Sequence, residues 1–537
     1  MRMKIVFSIL IGALFLAVLP LFKPGFIPTH DGEYHLIRFY EFGKMLAAGH
    51  VFPRWAPNLN SGYGVPLFNF HYPFPNYLGA LYHFLGVSYP DAVKLVLATG
   101  YLFAVVFCFL WLSKLFDKRA ATVGTIVYSF VPYWFVDIYV RGVVGEVLAL
   151  TWVMFSLASI ERKWKAGLAI AVGLLMISHN IMSLLFLPVL FLYIIIRRRS
   201  LFPFLTLGIG LASYFWIPAL FERQYVVGLN TVDFRDHFPH LVQLLFPSWG
   251  TGFSQPGQPA DEMSFQIGLM PLFVVLVGFF FLIWRNKKDE KGKKVLSMFF
   301  LLLCSVAFFL MQEMSIPIWE RIPFLSYIQY PWRLLSLFLP ATAFFAAYLV
   351  ARLRHAFLAV ALAVGAVVFA YPYANPVVYA LRSDEFYLTR QNFTDGTSSM
   401  GNTFSTRWSD WKKDRPAQKI EVVNGDAKAT GLTTSPLLYE FSVTTNTESR
   451  IRINTLYYPG WEVLINGKAV LVDYEHDGTI TFSVLPGQWQ VSVRFTETSL
   501  RRMANAISFL SLFWLVGWFI LEFNAHRHRY RSIVNRA

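Results

Sequence analysis

Stretches of about 20 residues nearly free of charge recur along this chain. They predict about twelve membrane-spanning helices, near 5–22, 92–115, 119–136, 144–160, 165–179, 181–196, 202–219, 266–284, 295–312, 332–350, 356–373 and 503–521. The apolar stretch over 165–196 is interrupted only at Ser178-His179-Asn180, read as a tight outer turn between two helices. The first run follows Arg2 and Lys4, as in a signal peptide. No small-residue cleavage site precedes Lys23, so the run is expected to be a retained helix.

Between 374 and 500 the period changes to two. Strand-like runs fall at 419–423, 439–443, 450–456, 461–465, 479–484 and 488–495, with Asn466-Gly467 and Asp477-Gly478 as hairpin turns. The expected fold is a mainly α, polytopic membrane protein with a C-terminal extracytoplasmic antiparallel β-sandwich. Its parts are a transmembrane domain over 1–373, which includes a structured first outer loop at 23–91, a β-rich domain over 374–500, and a last helix with a basic tail over 501–537. No internal repeat or low-complexity tract is visible.

Charge orients these helices. Lys114/Lys118/Arg119, Arg162/Lys163/Lys165, Arg197/Arg198/Arg199, Arg285 through Lys294, Arg352/Arg354 and the His/Arg-rich tail lie in alternate loops. By the positive-inside rule these loops are cytoplasmic, as are both termini of this multi-pass plasma-membrane protein. The formal charge of +15 is thus a loop charge, and nucleic acid is not an expected partner. Of 537 residues 55% are hydrophobic, more than a soluble domain can bury. The two cysteines, Cys108 and Cys304, sit in apolar runs and frame neither a disulfide nor a zinc site.

Inner charges have a topological reason, so the outer ones are informative. The first loop opens on Thr29-His30-Asp31-Gly32-Glu33-Tyr34-His35, followed by Arg38. Apolar spacing over 32–48 predicts an amphipathic interfacial helix with Asp31 as N-cap, and an aromatic run Phe68-Asn69-Phe70-His71-Tyr72-Pro73 follows. At the outer ends of other spans stand Arg141 and Glu146, His179 and Asn180, Glu222 and Arg223, and Gln329 with Arg333. Ionisable groups at a membrane edge are costly and line cavities, so a polar chamber open to the outside is expected. Each residue has a plainer role: capping for Asp31, an ion pair for Arg141 and Glu146, backbone satisfaction for His179-Asn180, snorkelling for Arg333. Glu222 and Arg223 read as loop charges. Trp408, Trp411, Trp461 and Trp489 are candidates for sugar stacking or for core packing, and Asn392-Phe393-Thr394 is a glycosylation sequon.

A carboxylate beside imidazoles, facing arginines, suits base-assisted transfer from a phosphate leaving group. The carboxylate would deprotonate an acceptor hydroxyl or hold a divalent cation, while planar guanidinium forks take up the charge growing on phosphate. There is no nucleotide outside the membrane and the chain carries no phosphate-binding glycine loop, so the donor is expected to be lipid-linked.

These residues carry a resemblance. The stretch from Thr29 to Lys118 resembles the bacterial GT-C-like membrane proteins labelled "6-pyruvoyl-tetrahydropterin synthase-related", relatives of the YfhO-type proteins. Tyr139-Val-Arg-Gly-Val-Val-Gly-Glu146, Ser178-His-Asn180, Gln329-Tyr-Pro-Trp-Arg333 and Tyr458-Pro-Gly-Trp461 are similar too. The resemblance implies a GT-C membrane glycosyltransferase that moves a sugar from a polyprenyl-phosphate donor to a glycan, lipid or cell-envelope polymer on the extracytoplasmic face. It implies Asp31 and Glu33 as catalytic residues, Asp31 as contact for a divalent cation (Mg or Mn), and membrane lipid as a partner. His30, His35, Arg38, Arg141, Glu146, His179, Asn180, Gln329 and Arg333 would bind substrate or phosphate. The Asp-Gly-Glu spacing departs from a paired-aspartate motif, and the three-histidine zinc site of the soluble pterin enzyme has no equivalent here. A transporter of lipid-linked sugars would show repeated halves and helices broken at mid-membrane. A non-catalytic glycan-binding envelope protein would need far fewer spans.

Overall fold

The computed structural model describes residues 2–228, 232–254, 263–284, 291–389, 403–409, 412 and 414–534. Among the described residues, seven helices are long and apolar enough to cross a membrane: Tyr89–Leu115, Val144–Arg162, Asn180–Arg197, Gly292–Leu310, Pro331–Leu353, Ala356–Tyr373 and Ser499–Glu522. Two bent pairs are long and apolar enough when taken together, Lys118–Ser129 with Pro132–Arg141 at 46° and Arg199–Leu211 with Ser213–Phe221 at 65°. Ile11–Phe22, Lys165–Ser178 and Leu269–Leu282 are shorter apolar helices. In chain order these helices fall on the predicted segments. What differs is straightness: the predicted helices over 119–136 and 202–219 are each broken near their middle.

Local chemistry sets the boundaries. Ser88 and Asp117 accept backbone N–H groups at the starts of the helices they precede. His179 alone separates Lys165–Ser178 from Asn180–Arg197, and its Nδ1 caps the second helix by accepting from the Met182 N–H at 3.2 Å. The expected capping by Asp31 is not made: the residue occupies the N-cap position of the Gly32–Ala47 helix, but its side chain takes no capping hydrogen bond. Nor does that helix lie open on the bilayer surface. It buries ten residues, including His35, Arg38 and Glu41, and packs against the Phe74–Phe84 and Tyr89–Leu115 helices.

Among the described residues, eight strands form the C-terminal domain: β1 (Ile420–Asn424), β2 (Lys428–Ser435), β3 (Leu438–Thr445), β4 (Ser449–Leu456), β5 (Trp461–Ile465), β6 (Lys468–Val470), β7 (Thr479–Val484) and β8 (Gly487–Phe495). They make two antiparallel sheets, ordered β1-β4-β7 and β2-β3-β8-β5-β6. Ile451, Ile453, Ile480 and Phe482 of the first sheet and Phe441, Val443, Val463 and Val493 of the second are buried in alternation. Asn466-Gly467 makes the predicted hairpin between β5 and β6, with both residues at positive φ. Asp477-Gly478 does not, because β6 and β7 belong to different sheets. The sequon at Asn392 and Trp411 lie outside the described residues.

A buried polar network fastens this domain to the helices. Glu222, read from sequence as a loop charge, is 3% exposed. Its carboxylate accepts from Asn69 Nδ2 (2.7 Å), Tyr458 OH (2.9 Å), Arg501 Nε (3.0 Å) and Thr498 Oγ1 (3.1 Å). Arg54 extends it, donating to Glu497 (2.7 Å), Asn69 Oδ1 (3.1 Å) and Asn505 (3.1 Å). First loop, helix end, β-domain and last helix thus meet at one carboxylate. Beside it the Asn60–Gly64 turn enters the β-domain: the Leu456 N–H donates to Tyr63 O (3.0 Å), and Lys419 Nζ donates to Gly62 O (3.1 Å) and Asn454 O (2.7 Å).

Removing one partner of a buried ion pair leaves an uncompensated charge, at a cost of about 3–5 kcal/mol. Glu222→Ala should therefore lower the thermal unfolding midpoint of the purified protein sharply. The double variant Glu222→Ala/Arg501→Met, which strands no charge, should recover part of the loss.

Candidate functional site

The site is assembled where the second half of the Lys118–Arg141 pair ends. Residues Val136–Arg141 form a π-helical turn, ended by Gly142 in the left-handed conformation at φ 66°. A helix ending there leaves carbonyls without intrahelical partners. Two are filled from the first loop: the His30 N–H donates to Val140 O (3.0 Å) and the Asp31 N–H to Arg141 O (2.9 Å). Gly142 permits this approach, since a Cβ there would lie 2.1 Å from Thr29 Oγ1. At Gly145 a Cβ would lie 2.3 Å from the Tyr72 ring, so the Val144–Arg162 helix also admits the aromatic run.

Below the junction lies a balanced charge cluster. Arg141 is ion-paired with Asp137 and, at 3.0 Å, with Glu146. Tyr133 donates to the other Glu146 oxygen, and Arg333 Nε lies 3.7 Å from Glu146. All four charged side chains are less than a tenth exposed, and two guanidinium groups balance two carboxylates. The Arg141–Glu146 ion pair expected from sequence is present. Its charge is taken up by two carboxylates and the face of Trp332 at 4.7 Å, which disfavours Arg141 as a free anion ligand. Arg333 is engaged more lightly, donating through Nη1 to Ile328 O (2.9 Å) and Gln329 Oε1 (3.0 Å), with its ring contact to Tyr330 at 4.8 Å. Gln329 therefore orients Arg333.

Above the junction sits a group of aromatic and imidazole rings. Arg38 Nη1 lies 2.9 Å from His71 Nε2. A guanidinium only donates, so this nitrogen accepts and the imidazole is neutral. His35 and His71 have ring centroids 5.9 Å apart, His71 and Tyr72 4.0 Å, and Tyr72 and His179 5.0 Å. Asn180 is set aside from this group, donating to Phe70 O at 3.0 Å. So is His30, whose Nε2 is 3.0 Å from Thr251 O and whose ring stacks on Phe253 at 4.2 Å.

The half-buried Asp31 carboxylate makes no hydrogen bond or ion pair among the described residues, and lies within electrostatic reach of His30, Arg38 and Tyr72. Glu33, one helical step on, is half-buried as well. Among the described residues no three His, Cys, Asp or Glu side chains converge to hold a metal. Asp31 alone does not make the divalent-cation site that the resemblance implies.

Sequence reading missed Asp137, Tyr133, His71 and Tyr72. Asp137 had a usable signal, a lone carboxylate in an apolar run four residues before Arg141. His71 and Tyr72 were hidden in a run that reads equally as an interfacial belt.

No family model matches the chain. An uncharacterized protein of Lactococcus lactis subsp. cremoris is 24% identical over 321 residues, 54% of this chain and 51% of that protein, so the chain spans about half the length of the curated relative it matches. Among solved structures, it is similar to ArnT from Cupriavidus metallidurans bound to undecaprenyl phosphate (14% identity, 64% of this chain and 60% of that one, TM-score 0.36). The Archaeoglobus fulgidus oligosaccharyltransferase complex with Zn and sulfate aligns at 16% identity (68% and 52%, TM-score 0.37). The arabinofuranosyltransferase AftD from Mycobacteria aligns at 15% identity (69% and 27%, TM-score 0.41).

Burial, then the Arg38 charge, push the His35 and His71 imidazoles well below the ordinary histidine range. They stay neutral in the fold, while unfolded imidazoles take up protons below about pH 6.5. Stability is therefore fully present above about pH 6.5 and lost on acidification, by about 1.4 kcal/mol per group per pH unit. Thermal midpoints at pH 7.5 and 5.5 should show the drop, and His35→Phe should reduce it.

Proposed function

We propose that this protein is a membrane glycosyltransferase that transfers a sugar from a polyprenyl-phosphate donor to a cell-envelope acceptor on the extracytoplasmic face. In this reading about twelve helices cross the membrane, both termini are cytoplasmic, and the β-domain is outside. The observation that carries the reading is the placement of Asp31. Its carboxylate, unpaired among the described residues, is pinned through its own backbone to the helix end at Arg141, and Tyr72 lies within electrostatic reach of Asp31, Arg38, Glu146 and Arg333 alike.

The roles follow from what each group has left to offer. Asp31 accepts the proton of the acceptor hydroxyl as that oxygen attacks the anomeric carbon. The bond from that carbon to the phosphate oxygen breaks, and the departing phosphate gains charge. Arg333, whose Nε has no hydrogen-bond partner, and Arg38 stabilise that charge. Glu146 holds Arg141 and Arg333 at fixed positions. Glu33, half-buried two residues after Asp31, is the second carboxylate at the site.

The test is release of polyprenyl phosphate from polyprenyl-phosphate sugars by purified protein. Asp31→Asn should lower turnover at least about 100-fold with the thermal midpoint unchanged. Binding of donor without turnover by wild type would favour a carrier over an enzyme. In the same assay Arg333→Lys, which keeps the charge but loses the planar fork, should weaken donor binding about tenfold. An unchanged affinity would remove Arg333 from the phosphate site.

A further inference from the structure

Among the described residues, polar atoms that are buried and lack a hydrogen-bond partner gather around this site. They include Thr29 Oγ1, both ring nitrogens of His35, Asn76 Oδ1, Asp137 Oδ2 and Arg333 Nε. Native interiors leave few such atoms, and those that persist call for a reason. His35 is the extreme case: it is 0% exposed, and neither its donor nor its acceptor is used. Phenylalanine would fill a similar volume without the penalty, as Phe39 does one turn further along the same helix at 6.4 Å between ring centroids. The fold therefore carries a destabilising imidazole beside the base.

We propose that His35 binds a hydroxyl group of the sugar substrate, and that its two nitrogens are satisfied only when that substrate is in place. This deepens, and rests on, the transferase reading. The chemistry distinguishes the ligand class. A neutral imidazole offers one donor and one acceptor, which matches a hydroxyl, itself donor and acceptor. A phosphate offers acceptors only and would call for a cationic ring. Burial and the adjacent Arg38 oppose that form, and Arg38 already supplies the cation. Position agrees: His35 lies one turn after Asp31 on the same helix, with the His35 N–H bonded to Asp31 O at 3.0 Å, so a sugar held at His35 sits within reach of the base. A site built to hydrogen-bond a hydroxyl discriminates strongly against a substrate that lacks it.

The experiment compares wild type, His35→Phe and His35→Gln as full-length purified protein. Thermal midpoints are read with and without millimolar methyl glucoside, galactoside, mannoside and arabinofuranoside, and turnover with polyprenyl-phosphate sugars. The expected result is a raised midpoint in His35→Phe without ligand, loss of the glycoside-induced shift, and glycoside binding at least about tenfold weaker. His35→Gln, which keeps a donor and an acceptor, should retain part of the shift. A lowered midpoint in His35→Phe would overturn the proposal, because the imidazole would then have a structural role. So would a glycoside shift that survives in His35→Phe, or no shift in wild type with any glycoside. Glycoside binding that depends on His35, in a wild type that does not turn over polyprenyl-phosphate sugars, would uphold this site and reject the transferase reading.

Discussion

The last carbonyls of a helix have no partner within it, so a buried helix end is stable only where something else takes them. In this protein the end over Val136–Gly142 is met by the N–H groups of His30 and Asp31. That pair of hydrogen bonds joins the 23–91 loop to the helical bundle, and most of the site's geometry follows from it. Asp31 is placed by its main chain, which leaves its carboxylate without a partner among the described residues. The Gly32–Ala47 helix must then start at this helix end, which brings His35 and Arg38 to the site. The constraint is local and unforgiving, because Gly142 has room for a hydrogen but not for a methyl group beside Thr29.

Charge balance is the second condition. Two guanidinium groups and two carboxylates so deeply buried would be prohibitive singly, and are tolerable as a neutral set whose lone pairs and protons are matched. The set is not symmetric. Arg141 lies between Asp137 and Glu146, whereas Arg333 approaches one carboxylate at 3.7 Å and leans on Gln329 and on aromatic faces. In the proposed reading, such a fixed dipolar arrangement would meet an incoming anion through Arg333 without dismantling the Arg141 pair. Preorganised charge is more effective than charge that must be gathered during a reaction.

The sequence made legible what is periodic or local. Apolar runs located the helices, period-two runs located six of the eight strands, and the outer-edge charges named most of the residues that converge. Strand β2 escaped because it is exposed on both faces and shows no alternation, and β6 because three residues give no period. The bend between Ser129 and Pro132 was hidden by the apolar residues on either side of it. Nothing local could show that Glu222 pairs with Arg501, 279 positions away, so a buried hub looked like a loop charge. Asp477-Gly478 shows the converse failure. The dipeptide turns the chain as its composition demands, but turn chemistry does not say whether the flanking strands share a sheet.

The Glu222 network gives the β-domain a part in the geometry of the site without placing any of its residues there. The segment that carries His71 and Tyr72 also carries Asn69, whose amide bonds Glu222 and Tyr458. Only Phe70 therefore separates Asn69, fixed to the β-domain and the last helix, from His71, which faces His35. On the opposite side, the start of the helix that follows Asp31 is fixed to the helix end at Gly142. The imidazole and aromatic rings are thus held between two anchors, one at the membrane helix and one at the β-domain. A loop of nearly 70 residues would otherwise sample many conformations, at an entropic cost that grows only slowly with length. Two anchors near the site remove most of that freedom where it matters, and leave the apolar tips around Val51 and Leu85, both exposed, free to meet lipid.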